Sequence, residues 1–287
     1  MDATERREQF RAILEGDRCI HPASVFDPIS ARIAEDLGFE VGMFAGSIAS
    51  ATVLGAPDLI VLTLTEFAQQ IQRICRASSI SLLVDADHGY GNALSVKRTV
   101  EELEMAGLAA LTVEDTSLPQ SFGDRSGATL ISVEEGVGKM KAALAGRQDS
   151  DLAIIGRTGA TPIAGVAETI RRARRYEQAG VDGIFLAGMK TREELEAVHA
   201  EVKVPLLLGG AGEELGDREY LARHGVRVAL QGHLPFQAAV KTVYDTLKAL
   251  RDGTPPADLD SSLASTELMA RVTRRADYDR WVEEFLR

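Results

Sequence analysis

The sequence predicts an α/β fold, a (β/α)8 TIM-type barrel, and three observations predict it. Eight short apolar segments recur along the 287 residues, helical patterns separate them, and most of the segments are apolar throughout. Strands of a parallel sheet covered on both faces read this way, because both sides of each strand are buried. Strand and helix alternating from end to end mark a parallel α/β architecture, and eight such units of ordinary length make a barrel. A doubly wound open sheet is the competitor, but no G-x-G-x-x-G follows the first strand.

The strand candidates are, in order, 19–25 (CIHPASV), 39–46 (FEVGMFAG), 81–87 (SLLVDAD) and 109–115 (AALTVED). They continue with 152–158 (LAIIGRT), 182–188 (DGIFLAG), 204–210 (VPLLLGG) and 226–232 (VRVALQG). Helix starts are marked between them. Asp27 is a capping residue followed by Pro28 at the first helical position. Thr63 with Glu66, Ser132 with Glu135 and Thr191 with Glu194 have the capping-box spacing. Helix ends are marked too: in 104–111 (EMAGLAAL) and 177–185 (EQAGVDGIF) a glycine stops a helix just before a strand begins.

Two connections are long, from Ser47 to Leu62 and from Thr116 to Ile131. Both exceed the ~4–6 residue median, and both follow C-terminal strand ends, where barrel active sites lie. The second is polar and glycine-rich and is expected to act as a lid, with a plain surface loop as the alternative. The barrel is assigned to residues 1–251. Residues 252–287 hold a linker (252–262) and an amphipathic C-terminal helix, about 266–286, with Leu268, Val272, Tyr278, Trp281 and Phe285. Its apolar face has no barrel surface left to cover it, so it is expected to pack on a neighbouring subunit.

The net charge of −11 argues against nucleic acid and anionic membrane as partners. An anionic substrate would then need local positive charge, from a metal or from placed Arg and His. Cys19 and Cys75 have no metal or redox spacing and read as reduced thiols of a cytoplasmic protein. The charged N-terminus is no signal peptide, and no apolar run reaches the ~18–20 residues of a membrane span.

Candidate chemistry gathers at the strand ends. Asp85 and Asp87 are two positions apart, so a strand directs both to one side. Two carboxylates held that close need a cation between them or a shared proton, and hard oxygen ligands suit Mg²⁺. The alternative is that Asp87 caps the following turn while Asp85 meets water. Ser47, Glu114, Asp115, Arg157 and His233 stand at other strand ends, and Asp58 lies in the first long connection. Each has a plainer reading: loop caps for Glu114, Asp115 and His233, charge neutralisation for Arg157, a turn for Ser47. His21 reads equally as core or site, His88 as a turn residue, and Arg171, Arg172, Arg174 and Arg175 as a solvated stripe.

These pieces resemble the phosphoenolpyruvate mutase/isocitrate lyase superfamily. The resemblance is carried by F-D-P-x-S-A-R (26–32), Gly46-Ser47, the Asp58 loop, D-x-D-x-G-Y-G (85–91), V-E-D (113–115) and I-x-R-T (155–158). It implies a Mg²⁺ site (Mn²⁺ as substitute) with Asp85 as direct ligand, and with Asp87, Glu114 and Asp58 acting partly through water. It further implies α-keto-acid chemistry through an enolate, Arg157 on a carboxylate, Ser47 near the keto oxygen, and a homotetramer exchanging C-terminal helices. D-A-D-H-G-Y-G-N-A-L, E-D-T-x-L-P-x-x-F-G, V-E-E-G-V-G-K and Q-G-H (231–233) look most like the oxaloacetate decarboxylase branch. That branch implies an α-keto dicarboxylate substrate, with His233 on its far carboxylate or delivering a proton. The alternatives are a phosphonopyruvate-type mutase or hydrolase, or a lyase such as methylisocitrate lyase, although the latter's lid cysteine has no counterpart here. G-G-A-G-E-E (209–214) departs from the branch and leaves the far end of the pocket open.

Overall fold

The structure, a computed structural model, describes residues 2–123 and 127–287. Eight parallel strands follow one another in chain order: β1 (Ala23–Ser24), β2 (Val41–Phe44), β3 (Ser81–Asp85), β4 (Ala110–Glu114), β5 (Ala153–Thr158), β6 (Gly183–Ala187), β7 (Leu206–Gly209) and β8 (Val226–Ala229). Each falls inside one of the eight apolar segments. The strand β1 is short, but just ahead of it Ile20 pairs with Val228. The Ile20 N–H donates to Arg227 O and the Ala229 N–H to Ile20 O, both at 2.9 Å. That bridge ties the first segment to β8 and closes the ring.

Every residue of β2, β3, β4 and β7 is buried, which is why these strands show no polar alternation. The helix starts form as the capping residues dictate. Asp27 accepts the Ser30 N–H at 2.7 Å, and reciprocal boxes join Thr63 to Glu66 and Thr191 to Glu194. Gly107 and Gly180 end their helices at φ 94° and 101°, a conformation that costs glycine nothing. Beneath the barrel, helix Ala3–Glu15 inserts Phe10 and two buried arginines. Arg6 and Arg7 donate to the carbonyls of Cys75, Leu108 and Glu104, satisfying chain ends that the core would otherwise strand.

The two long connections are more ordered than loops. The first forms a helical turn, Gly46–Ala49, and then a π-helical turn, Ser50–Leu54, a rare geometry that concentrates at functional sites. The second begins as a hairpin: Thr116 pairs with Leu130, and the Ser117 N–H donates to Thr129 O at 2.8 Å. Residues 124–126, on which the expected lid partly falls, lie outside the described residues.

The C-terminal region differs from expectation in two ways. The barrel's own eighth helix, Leu234–Arg251, docks by its first turn, where the Phe236 ring meets Phe26 edge-on at 5.6 Å, but it fully buries no residue and leaves Val240, Val243, Tyr244 and Leu247 exposed. The final helix is two, Thr266–Val272 and Arg275–Leu286, broken where Arg274 takes φ 56°. Val272 is buried, Arg32 donates to its carbonyl at 3.1 Å, and Arg274 pairs with Glu35 and Asp36 on helix Pro28–Asp36. Tyr278, Trp281 and Phe285 remain exposed. Among the described residues no helix is long and apolar enough to cross a membrane.

Candidate active site

Three adjacent strand ends assemble the charged cluster. Register sets Asp85 beside Thr112, Glu114 beside Arg157, and Arg157 beside Phe185. Asp85 accepts from the Thr112 hydroxyl at 2.9 Å and from the Asp87 N–H at 3.2 Å through one oxygen, and from Arg157 Nη1 through the other. The Arg157 Nε lies 3.1 Å from Glu114 Oε2, and the guanidinium rests 5.5 Å from the centre of the Phe185 ring. Burial opposes ionisation of this arginine, but Asp85 and Glu114 reverse the balance and hold it charged.

The turn after β3 is built from unusual backbone. Asp87 (φ 48°), Gly89 (77°) and Tyr90 (60°) all take the left-handed region, which costs a bulky residue such as Tyr90 about 1–2 kcal/mol. The turn swings the Asp87 carboxylate against Gly46. A β-carbon built on Gly46 would lie 2.6 Å from Asp87 Oδ1, so only glycine leaves room. Burial, and after it the charges of Asp85, Asp58 and Glu114, push Asp87 up to about 9. Glu114 is raised by burial against the opposing pull of Arg157, and Asp58 by burial and then Asp85. Four carboxylates thus converge on one guanidinium.

A cavity of about 280 Å³ opens over this cluster, lined by Ser47, Asp58, Asp85, Arg157 and His233 together with Thr112 and Phe185. Asp87 and Glu114 are not in its lining and act on it from behind. Of the candidates, the larger hollows, about 510 and 780 Å³, contain only His21, in the second, so size does not identify the site. His233 precedes helix Leu234–Arg251, and its Nδ1 lies 2.8 Å from the Ser24 hydroxyl, leaving Nε2 available to a ligand. Burial holds its imidazole below the ordinary value, with Asp85 pulling the other way.

The donor set fits a hydrated Mg²⁺-type ion. Among the described residues no three His, Cys, Asp or Glu stand close enough to enclose a metal, and Arg157 contacts both Asp85 and Glu114. Mg²⁺ takes one or two carboxylates and keeps several waters, so a full protein cage is not required. The buried, mutually repelling carboxylates are the arrangement that a cation relieves.

Other candidates fall away. Asp115 is fully buried and accepts from Tyr176 Oη at 2.8 Å and Arg172 Nη1 at 3.1 Å, a structural network. Arg172 therefore leaves the expected solvated stripe: it is buried because Asp115 needs a partner. His21 donates through Nδ1 to Ala229 O at 2.7 Å, at the barrel closure. His88 is buried outside the cavity lining, its imidazole pushed down to about 4 by burial and Lys139. Cys19 and Cys75 are free and buried. The sequence reading missed Thr112 and Phe185. Thr112 carried a usable signal, since it stands two residues before Glu114 on the same strand face.

The family model of phosphoenolpyruvate phosphomutase matches residues 10–251. An oxaloacetate decarboxylase of Bradyrhizobium diazoefficiens is 60% identical over 95% of this chain and 94% of its own length. Another, from Rhodopseudomonas palustris strain BisB18, is 59% identical over 94% of this chain and 93% of its own. Among solved structures, phosphonopyruvate hydrolase in complex with oxalate and Mg²⁺ superposes with a TM-score of 0.88 at 29% identity, covering 100% of both chains. Oxaloacetate acetylhydrolase with the inhibitor 3,3-difluorooxalacetate gives 0.85 at 28%, covering 99% of this chain and 98% of that one. Sequence and barrel agree, and the chain belongs to the phosphoenolpyruvate phosphomutase family, within the PEP mutase/isocitrate lyase superfamily.

Proposed function

We propose that the chain decarboxylates oxaloacetate to pyruvate and CO₂ in the cavity over Asp85 and Arg157, with Mg²⁺ (Mn²⁺ as substitute) as cofactor. The observation that carries this is the charge imbalance of the site: four carboxylates and one guanidinium line or back a cavity of about 280 Å³. A dicarboxylate meets repulsion there unless a cation, or protons on the raised carboxyls, offset the charge. The near-full-length relatives named oxaloacetate decarboxylase support the choice of substrate.

In this reading Asp85 would hold the cation directly, and Asp87, Glu114 and Asp58 would help hold it, partly through water. When bound, the cation supplies Lewis-acid stabilisation of the oxygen on which charge develops. Arg157 commits Nη1 to Asp85 and keeps further N–H donors for a substrate carboxylate. Ser47 faces the keto oxygen and donates to it as the C3–C4 bond breaks and its electron pair moves into the enolate. His233, oriented by Ser24, contacts the C4 carboxylate or returns a proton to C3.

A phosphonopyruvate-type hydrolase is the second reading, favoured by the superposition at TM-score 0.88. Its 29% identity, against 60% for the decarboxylase relative, ranks it below. A methylisocitrate-type lyase needs an acidic thiol at the substrate. Both cysteines lie away from the cavity, and burial pushes both thiols up to about 11.

For the assembly we propose a homotetramer in which residues 252–287 pack on a neighbouring copy's barrel (1–251), beside the exposed outer face of helix Leu234–Arg251. The exposed apolar residues on these helices support it. The buried free thiols suit the cytoplasm.

The test is oxaloacetate turnover with and without Mg²⁺, following pyruvate through coupled lactate dehydrogenase against the spontaneous background. Rapid, EDTA-sensitive release of pyruvate is expected. Background-level release would reject the decarboxylase and transfer the proposal to phosphonopyruvate.

A further inference from the structure

Lys139 lies on helix Val133–Gly146, outside the ring of strands, yet it is only 3% exposed. Lysines are almost never buried without a partner, so this one calls for an explanation. Its ammonium donates to the carbonyl of His88 at 2.9 Å, inside the turn that carries Asp87.

Three consecutive carbonyls of that turn are each held by a different element. Asp87 O accepts the Glu114 N–H from β4 at 2.8 Å, His88 O accepts from Lys139, and Gly89 O accepts the Thr99 hydroxyl from helix Ala93–Met105 at 3.1 Å. The turn needs such restraint, because Asp87 and Tyr90 sit in strained left-handed backbone that persists only where the surroundings over-determine it. Of the three donors only Lys139 brings a charge. Burial opposes that charge, while the fields of Glu135, Glu114 and Asp115 favour it.

We propose that Lys139 is a positioning residue for the cation site. It fixes the backbone that aims Asp87, and it sets a positive charge in the field of Glu114. The proposal rests on the metal reading given above, and its test is made without substrate so that the two can fail separately.

The experiment measures the Mg²⁺ dissociation constant by calorimetry and the Mn²⁺ constant by electron paramagnetic resonance, for wild type, Lys139→Met and Lys139→Arg. Outer-sphere supports of metal sites are typically worth about 10–100-fold in affinity, and that loss is expected for Lys139→Met. Lys139→Arg restores most of it, and the Met variant's kcat at saturating Mg²⁺ stays within a few-fold of wild type. Wild-type affinity in Lys139→Met, whatever its melting temperature, overturns the proposal. If that variant does not fold, Lys139→Gln keeps an N–H donor without the charge and must still bind Mg²⁺ several-fold more weakly; unchanged affinity there overturns it equally. Failure of the wild type to bind either cation refutes the metal reading itself, and this proposal with it.

Discussion

The carboxylate of Asp87 packs so closely against the α-carbon of Gly46 that a methyl group there would sit 2.6 Å from Oδ1 and 2.7 Å from Oδ2. The contact joins the end of β2 to the turn after β3, and it ties Ser47 to the acidic cluster. Gly46→Ala therefore displaces Asp87 and leaves the barrel intact. Overpacking of this kind costs about 1–3 kcal/mol, so the variant should fold with a modestly lowered melting temperature. Its Mg²⁺ affinity should fall at least about tenfold, the scale of a disturbed outer ligand. Calorimetry reads both quantities, and wild-type Mg²⁺ binding would show that the position of Asp87 does not matter.

The raised carboxylates predict a pH dependence whose sign follows from linkage. Asp87 ionises at about 9 in the folded chain against an ordinary value of 3.8, so between those limits the folded state binds more protons than the unfolded one. Stability contributed by this group is complete below the lower limit and is lost as pH rises toward the upper. In EDTA the melting temperature should thus decline as pH climbs through the alkaline half of that window. Saturating Mg²⁺ should flatten the decline, and Mg²⁺ uptake should release protons, detectable as a buffer-dependent calorimetric enthalpy. Proton-neutral binding would contradict the assignment.

Asp115 and Glu114 are neighbours in sequence with opposite duties. Asp115 is sealed against Arg172 and Tyr176, and removing one partner of a buried pair strands the other. Asp115→Ala should cost about 3–5 kcal/mol in denaturant unfolding. The Mg²⁺ affinity of the folded variant should remain within a few-fold of wild type. A larger loss of binding with little loss of stability would return Asp115 to the site.

How much of this was legible follows from what each inference needs. The barrel was legible because parallel strands buried on both faces leave continuous apolar runs, and each strand lies within its run. The exposure of Val240, Val243, Tyr244 and Leu247 on helix Leu234–Arg251 was not, since an apolar stripe reads the same whether it covers its own barrel or another surface. Asp85, Asp58, Ser47, Arg157 and His233 come together because strand ends converge, and strand ends could be placed from the sequence. Arg172 read as part of a solvated stripe, and Lys139 stood only as the last residue of V-E-E-G-V-G-K, with nothing to mark it as buried. Their burial depends on how each helix is rotated against the sheet, which an isolated segment does not encode.

His233 touches the cavity but none of the carboxylates by any hydrogen bond, and its Nδ1 is committed to Ser24. Its removal should separate turnover from metal binding. His233→Ala should lower oxaloacetate turnover by about 10²-fold, the ordinary worth of a positioned proton donor, while Mg²⁺ affinity stays unchanged. Equal turnover would remove it from the reaction.

Arg157 gives the sharpest separation, because in the proposed mechanism it serves the substrate and opposes the cation at once. Hydrogen bonds to charged groups contribute about 1.5–3 kcal/mol each, so losing a paired carboxylate contact predicts a fall of about 10²–10⁴-fold in kcat/KM for Arg157→Ala. Lysine should rescue little, since an ammonium cannot reproduce the planar fork that reaches Asp85 through Nη1 and places Nε by Glu114. The same deletion removes the positive charge beside Asp85, Glu114 and Asp87, whose field acts directly on Arg157. The variant should then bind Mg²⁺ at least as tightly as wild type while turning over poorly. Steady-state kinetics with substrate and calorimetry without it measure the two effects independently. Weaker Mg²⁺ binding in Arg157→Ala would mean that the guanidinium holds the acidic cluster together and does not compete with a cation for it.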